Sequence, residues 1–311
     1  MTLHIDTPLL DSRPLGLMTG RGIWLKMDAL QPAGSFKIRG IGLACEHHAR
    51  NGKRRFVSSS GGNAGVAVAY AGRRLAIPVS VYVPETASER AKALIRQEGA
   101  ELFVHGASWQ ETNERALASV GDDAVLIHPF DDPALWNGHA TMIDEVVRAG
   151  AAFDAVALSV GGGGLLCGVA EGLARNGLTD VPILAVETQG AASLAAAIEA
   201  GKLIELPAIT SLATTLGAKK VCARAFELTQ THRIESIVVS DRAAVDACMR
   251  FLDDHRVLVE PACGATLALA YSHADLLASY ERVLFIVCGG VTASLTQLQS
   301  WKEIASKELV A

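Results

Sequence analysis

Residues 55–76 read "RFVSSSGGNAGVAVAYAGRRLA". An apolar run meets a helical pattern through eight residues, 58–65, that are almost all small or polar. A tight turn needs one or two such residues. A loop that wraps an anion with backbone N–H groups at a helix N-terminus needs most of them. The same order, apolar run then glycines then helix, recurs in "AVALSVGGGGLLCGV" (155–169) and "RVLFIVCGGVTASL" (282–295).

Around these lie further Val/Ile/Leu-rich runs: 22–28, 79–85, 101–106, 124–129, 182–188 and 236–241. Amphipathic stretches of about 10–17 residues separate most of them. This βαβ rhythm predicts an α/β fold, with parallel twisted sheets flanked by helices. Ligands then gather at the carboxyl ends of the strands. Pro and Asp interrupt the pattern in "HPFDDPALWNGHA" (128–140), which marks a crossing between two lobes.

Composition bounds the function. The 311 residues are 50% hydrophobic and 20% charged, with a net charge of −5. That describes a soluble globular chain with room for two domains. It offers no electrostatic case for nucleic acid or an anionic membrane. No run is long and apolar enough to span a bilayer, and the start shows no secretory pattern. Six cysteines without paired spacing suggest a reducing, cytoplasmic setting, with neither disulfides nor a zinc cluster.

Four strand ends carry chemistry. In "QPAGSFKIRG" (31–40) Ser35 is placed as a helix N-cap, with Lys37 in the first turn. The helix dipole there disfavours an ammonium, and a neutral amine is what an imine requires. The loop 58–65 is an anion site, with Ser60 and Asn63 adding hydrogen bonds. Gly161 to Gly164 imply close backbone approach to a phosphate. Cys288 ends the last strand. Singly, each has a plain explanation: a solvated lysine, a capped turn, a glycine-rich turn, an inert buried thiol. A dinucleotide site at the four glycines also stays open, since Asp180 and Glu187 lie near the spacing of a ribose-binding acid. Together, an imine-forming lysine, a phosphate cup, a carboxylate hole and a strand-end thiol make the set that pyridoxal 5′-phosphate needs.

The stretches "WLKMDALQPAGSFKIRG", "SSGGNAG", "PFDDP", "GHA", "SVGGGGLLCGV", "AVETQGA", "VEPACGA" and "VCGG" resemble the fold type II family of pyridoxal-phosphate enzymes. More narrowly, they resemble its liver-type L-serine dehydratase/L-threonine deaminase branch. The resemblance runs from about residue 5 to about residue 300. It implies two domains, a large one of residues 1–31 and 134–311 and a small one of residues 32–133. It implies Lys37 as Schiff-base lysine and α-proton base, and Phe36 over one face of the ring. Ser60, Gly61 and Asn63 hold the substrate carboxylate, with Asn63 also near the ring's 3′-oxygen. Gly161, Gly162, Gly163 and Gly164 hold the phosphate. Cys288 faces the ring nitrogen, where a thiol is a weaker stabiliser of a pyridinium than a carboxylate.

Glu187, Ala191 and Leu216, with Gly161, match a K⁺ or Na⁺ site. Thr215 falls near the second ring face. Gly61 stands where some relatives have Ala, which leaves room beside the substrate's β-carbon. The implied reaction is elimination from L-serine or L-threonine, giving pyruvate or 2-oxobutanoate and ammonia. It is set in a cytoplasmic homodimer without a C-terminal regulatory domain. A serine racemase using Ser60 as second base, a β-replacement synthase, and a binder without turnover are the rivals.

Overall fold

The computed structural model describes residues 2–307. Residue 1 and residues 308–311 of the expected large domain lie outside them. In chain order the elements are β1 (Leu9–Asp11), α1 (Arg13–Thr19), β2 (Gly22–Lys26), α2 (Lys37–Arg50), β3 (Arg55–Ser58), α3 (Asn63–Leu75), β4 (Val79–Val83), α4 (Glu89–Gln97), β5 (Glu101–Val104), α5 (Trp109–Ala118), β6 (Ala124–Leu126) and α6 (Pro133–Arg148). Then follow β7 (Ala155–Ser159), α7 (Gly164–Arg175), β8 (Ile183–Thr188), α8 (Ser193–Ala200), α9 (Ala223–Thr231), β9 (Ile234–Val239), α10 (Asp241–His255), α11 (Pro261–Ser272), β10 (Arg282–Ile286) and α12 (Leu295–Lys307).

Two sheets form. One has the order β1-β2-β10-β7-β8-β9, the other β5-β4-β3-β6. Every pairing is parallel except β1 with β2. All nine strands read from the apolar runs are present. The sequence reading missed β1, a three-residue edge strand that buries too little to show a pattern. The reason for parallel packing is visible in β7 and β8, buried at every position and therefore apolar without alternation up to their ends. Side chains start the helices between them: Ser88 caps α4, Asp132 with Pro133 opens α6, and Ser240 caps α10.

The strands of the second sheet all fall between residues 55 and 126, and those of the first all outside that interval. Each sheet has its own apolar core. Between the cores lies a cluster of buried charges. The Arg39 guanidinium, on α2, donates to both oxygens of Asp28 (2.6 and 2.9 Å) and both of Glu145 (2.5 and 2.8 Å). Lys26, at the end of β2, donates to Glu145 Oε2 at 2.5 Å. Thr7 Oγ1 closes the group on Asp28 at 2.8 Å. Two cations and two carboxylates thus neutralise one another and fix α2 against α6. Lys37 begins α2, so this cluster sets where its stem leaves the backbone.

Candidate active site

Lys37 is the first residue of α2, and Phe36 is the cap, without a capping side chain. Ser35 therefore does not cap the helix as the sequence suggested. Its Oγ is buried and unpartnered among the described residues. The backbone does the positioning instead: Phe36 N–H donates to Cys288 O at 2.9 Å, and Ser35 bridges to Gly289. The lysine start and the thiol end of β10 are thereby one unit. Lys37 Nζ donates to the carbonyl of Pro129 at 2.5 Å. Burial pushes its ammonium down to about 8, while the nearby Cys288 sulfur and Glu260 carboxylate act in the other direction. The dipole argument had the right direction, but desolvation is the largest cause. Phe36 packs on the buried His139 ring, centroids 4.8 Å apart.

The 58–65 loop divides its labour. Ser58 and Ser59 are buried. Ser58 Oγ accepts the Ser60 N–H at 3.4 Å, and Ser59 Oγ donates to Asn113 at 2.7 Å. Ser60 Oγ accepts the Gly62 N–H at 3.3 Å. Among the described residues no backbone carbonyl accepts the N–H groups of Gly61, Asn63 or Ala64. Gly65 is required by close approach, since a Cβ there would lie 1.8 Å from Ser60 O. A Cβ on Gly61 would point at Val83 and Ala87, 3.2 and 3.3 Å away. A side chain at Gly61 would thus point toward the β4 end of the small sheet.

The four glycines are equally constrained. A Cβ on Gly162 would fall 2.4 Å from the Phe130 ring, and one on Gly161 3.0 Å from Leu216 Cα. Gly163 has φ +94. No backbone carbonyl of the described residues accepts the N–H groups of Gly161 to Gly164. They form a row of free donors opening α7. Phe130, from the lobe crossing, presses the row into place.

Cys288 is buried, and its hydrogen bond with Cys263, together with burial, pushes its thiol well up. It is held as a neutral thiol. Glu187 is buried too. Its oxygens accept the Leu194 and Ala195 N–H groups at 2.8 Å each, and burial raises it to about 7. That carboxylate is committed to the start of α8, away from the ribose role a dinucleotide site would ask of it. Ala191 is buried beside the same turn, and Leu216 lies against Gly161.

Sequence reasoning missed Glu260. Its carboxylate, 3% exposed, accepts from Asn63 Nδ2 (2.6 Å), Thr215 Oγ1 (2.6 Å) and Thr292 Oγ1 (3.0 Å). A Glu before Pro at a helix start is an ordinary cap signal, so "VEPACGA" did not single it out.

Residues 1–289 match the family described as pyridoxal-phosphate dependent enzyme. The chain belongs to that family. Human L-serine dehydratase/L-threonine deaminase is 48% identical over 312 residues, covering 97% of this chain and 95% of its own. A fungal L-serine ammonia-lyase from Rhizomucor miehei superposes with a TM-score of 0.93 at 34% identity, over 97% and 99% of the two chains. Maize serine racemase follows at 0.86 and 27%, over 99% and 94%. As a pyridoxal-phosphate enzyme the chain has fitting residues. They are an amine lowered to about 8, a row of glycine N–H groups that no backbone carbonyl of the described residues accepts, and a buried Asn63 Oδ1 without a partner among the described residues. Among the described residues no group of three or more His, Cys, Asp or Glu could hold a metal ion, and no helix is long and apolar enough to cross a membrane.

Proposed function

We propose that this protein is an L-serine and L-threonine ammonia-lyase, which eliminates the β-hydroxyl and releases ammonia with pyruvate or 2-oxobutanoate. The observation that carries the reading is the buried Lys37 amine, lowered to about 8 and held on Pro129 O beside the Phe130 that packs on the glycine row. The near full-length likeness to the human enzyme supports the substrate class. Pyridoxal phosphate, bound there, supplies the electron sink that acidifies the α-hydrogen.

The residues do the rest. Lys37 holds the cofactor covalently, and once freed its amine takes the α-proton, with a pKa suited to a base near neutrality. Gly161 to Gly164 offer the phosphate their N–H groups, and Phe36 covers a ring face. Cys288, a neutral thiol, would face the ring nitrogen of the bound cofactor and place no full charge there, which would favour prompt loss of the β-group. Gly61, Asn63 and Ala64 N–H groups with Ser60 Oγ take the substrate carboxylate and orient the α-hydrogen toward Lys37. Thr215, tied by its hydroxyl to Glu260, turns its methyl to the Gly62 side of the loop.

The division into residues 1–31 with 134–311 and 32–133 is part of the same reading, supported by the segregation of the two sheets. So is a K⁺ or Na⁺ ion near Glu187, Ala191 and Leu216. Six unpaired, buried cysteines support a reducing compartment such as the cytoplasm, and a homodimer is the assembly that goes with it.

The test is incubation of the cofactor-loaded protein with L-serine. Pyruvate and ammonia should form in equal amounts, and Lys37→Ala should abolish both along with the visible cofactor band. Release of D-serine in place of ammonia would instead make it a racemase.

A further inference from the structure

Cys167 and Cys222 play no part in the proposed reaction, yet both are tied to the glycine row. Cys167 lies in the first turn of α7, and Cys222 is the residue that opens α9. Their buried sulfurs are 3.8 Å apart and share a hydrogen bond. Cys167 N–H donates to Gly163 O at 2.9 Å, and Cys222 N–H donates to Gly162 O at 3.0 Å. A Cβ on Gly163 would lie 3.1 Å from Cys222 Sγ. Cys167 also lines a cavity of about 340 Å³ bordered by Trp136, Arg224 and His232, so a small solute has room beside the pair. The hydrogen bond from Cys167 lowers the pKa of the Cys222 thiol. Its place at the head of a helix favours the thiolate as well. Cys222 is thus the stronger nucleophile, with a second thiol beside it to trap what forms there.

We propose that Cys167 and Cys222 are a redox-sensitive dithiol, which a hydroperoxide converts to a disulfide that displaces the glycine row and loosens the cofactor. The effect on the cofactor rests on the proposed function, which seats the phosphate on that row. The Cys222 sulfur attacks the terminal oxygen of the hydroperoxide. An S–O bond forms, the O–O bond breaks, and the departing oxygen takes the proton that Cys222 gave up, leaving as water or an alcohol. The Cys167 sulfur then attacks the sulfenic sulfur. The S–S bond forms, the S–O bond breaks, and the hydroxide leaves as water with the Cys167 proton. The two thiols lose two electrons and the peroxide gains them. The sulfurs must close from 3.8 Å to about 2 Å. Each cysteine is hydrogen-bonded to a carbonyl of the row, so drawing them together moves Gly162 and Gly163. In a reducing compartment such a bond is transient, as a sensor requires.

The test treats the cofactor-loaded enzyme with hydrogen peroxide and maps its peptides by mass spectrometry. A cross-link between the peptides of Cys167 and Cys222 should appear, and dithiothreitol should remove it. The cofactor dissociation constant, titrated by visible absorbance, should rise about tenfold to a hundredfold, the worth of one hydrogen bond to a charged group. It should fall back on reduction. Cys167→Ala should bind cofactor as the wild type does before treatment and show no reversible rise after it. Should that variant not fold, Cys222→Ser takes its place in the same assay. Oxidation that spares this pair, a cross-link that leaves the constant unchanged, or a reversible rise that persists in the variant overturns the proposal. Pyruvate formation tests the parent reading separately. A protein that makes none from L-serine, yet cross-links and loosens its cofactor, refutes the proposed function and leaves the present inference standing.

Discussion

Gly65→Ala places a methyl where the chain has already folded back on itself. The new Cβ would lie 1.8 Å from Ser60 O, 3.0 Å from its carbonyl carbon and 3.4 Å from Val81 Cγ1. Restoring ordinary van der Waals separation moves the Ser60 carbonyl by more than about 1 Å. Two energies oppose. Alanine gains about 1 kcal/mol of helix propensity over glycine, and overpacking costs about 1–3 kcal/mol. Net stability therefore falls by at most about 2 kcal/mol, and the fold survives. Function does not follow stability here, because the peptide that moves carries the N–H of Gly61. A misplacement of about 1 Å in a substrate-positioning group costs roughly a hundredfold. Gly65→Ala should thus lower kcat/KM for L-serine about a hundredfold, measured as pyruvate by coupled NADH oxidation at equal cofactor occupancy. Gly61→Ala is the control. Its Cβ meets only the side chains of Val83 and Ala87 at 3.2 Å and beyond. It should cost less than about 1 kcal/mol, at most about fivefold, and equally for L-serine and L-threonine. Equal losses in the two variants, or a Gly65→Ala enzyme within threefold of wild type, would refute this assignment of the loop.

The neutral amine of Lys37 is the form that captures an aldehyde, and below its pKa the ammonium predominates. Cofactor uptake by the apo-protein should therefore accelerate as pH rises and level off above about 8; a midpoint near 10 would show a solvated lysine. For the cation, activity in a tetraalkylammonium buffer should rise when K⁺ is added at constant ionic strength. Burial holds the Glu187 carboxyl up to about 7, so the response should be larger above that pH, where the group is ionised, than below it. Glu187→Gln should remove the response, and a K⁺ effect that is absent or independent of pH dismisses the site.

The sequence made the strands legible because buried parallel strands are apolar without alternation, as in β7 and β8. Glycines were legible for a related reason: only a residue without Cβ survives beside Phe130 or Ser60 O. What those glycines face was not legible. The direction of Gly61 depends on β4 and the turn at Ala87, more than 20 positions along the chain. Ser35 looked like a cap because its type and place fit one. The chain instead uses the Phe36 N–H on Cys288 O, a contact across some 250 residues. Glu260 was hidden likewise, since its partners sit at positions 63, 215 and 292. Local propensity reads neighbours in sequence, whereas the site is assembled from neighbours in space.

The charge cluster around Arg39 bears on how mutational surveys of this enzyme should be read. Its members come from positions 26, 28, 39 and 145, all nearly solvent-free. Deleting one strands its partners, at a cost of about 3–5 kcal/mol each time. Replacing all four with well-packed apolar residues can be nearly neutral, because the desolvation vanishes with the charges. A one-at-a-time alanine survey would therefore score every member as indispensable. Arg39, two residues from Lys37, would be mistaken for part of the chemistry. The distinguishing mark is yield: such variants lose folded protein, whereas loss of a group that acts on the substrate leaves the yield unchanged.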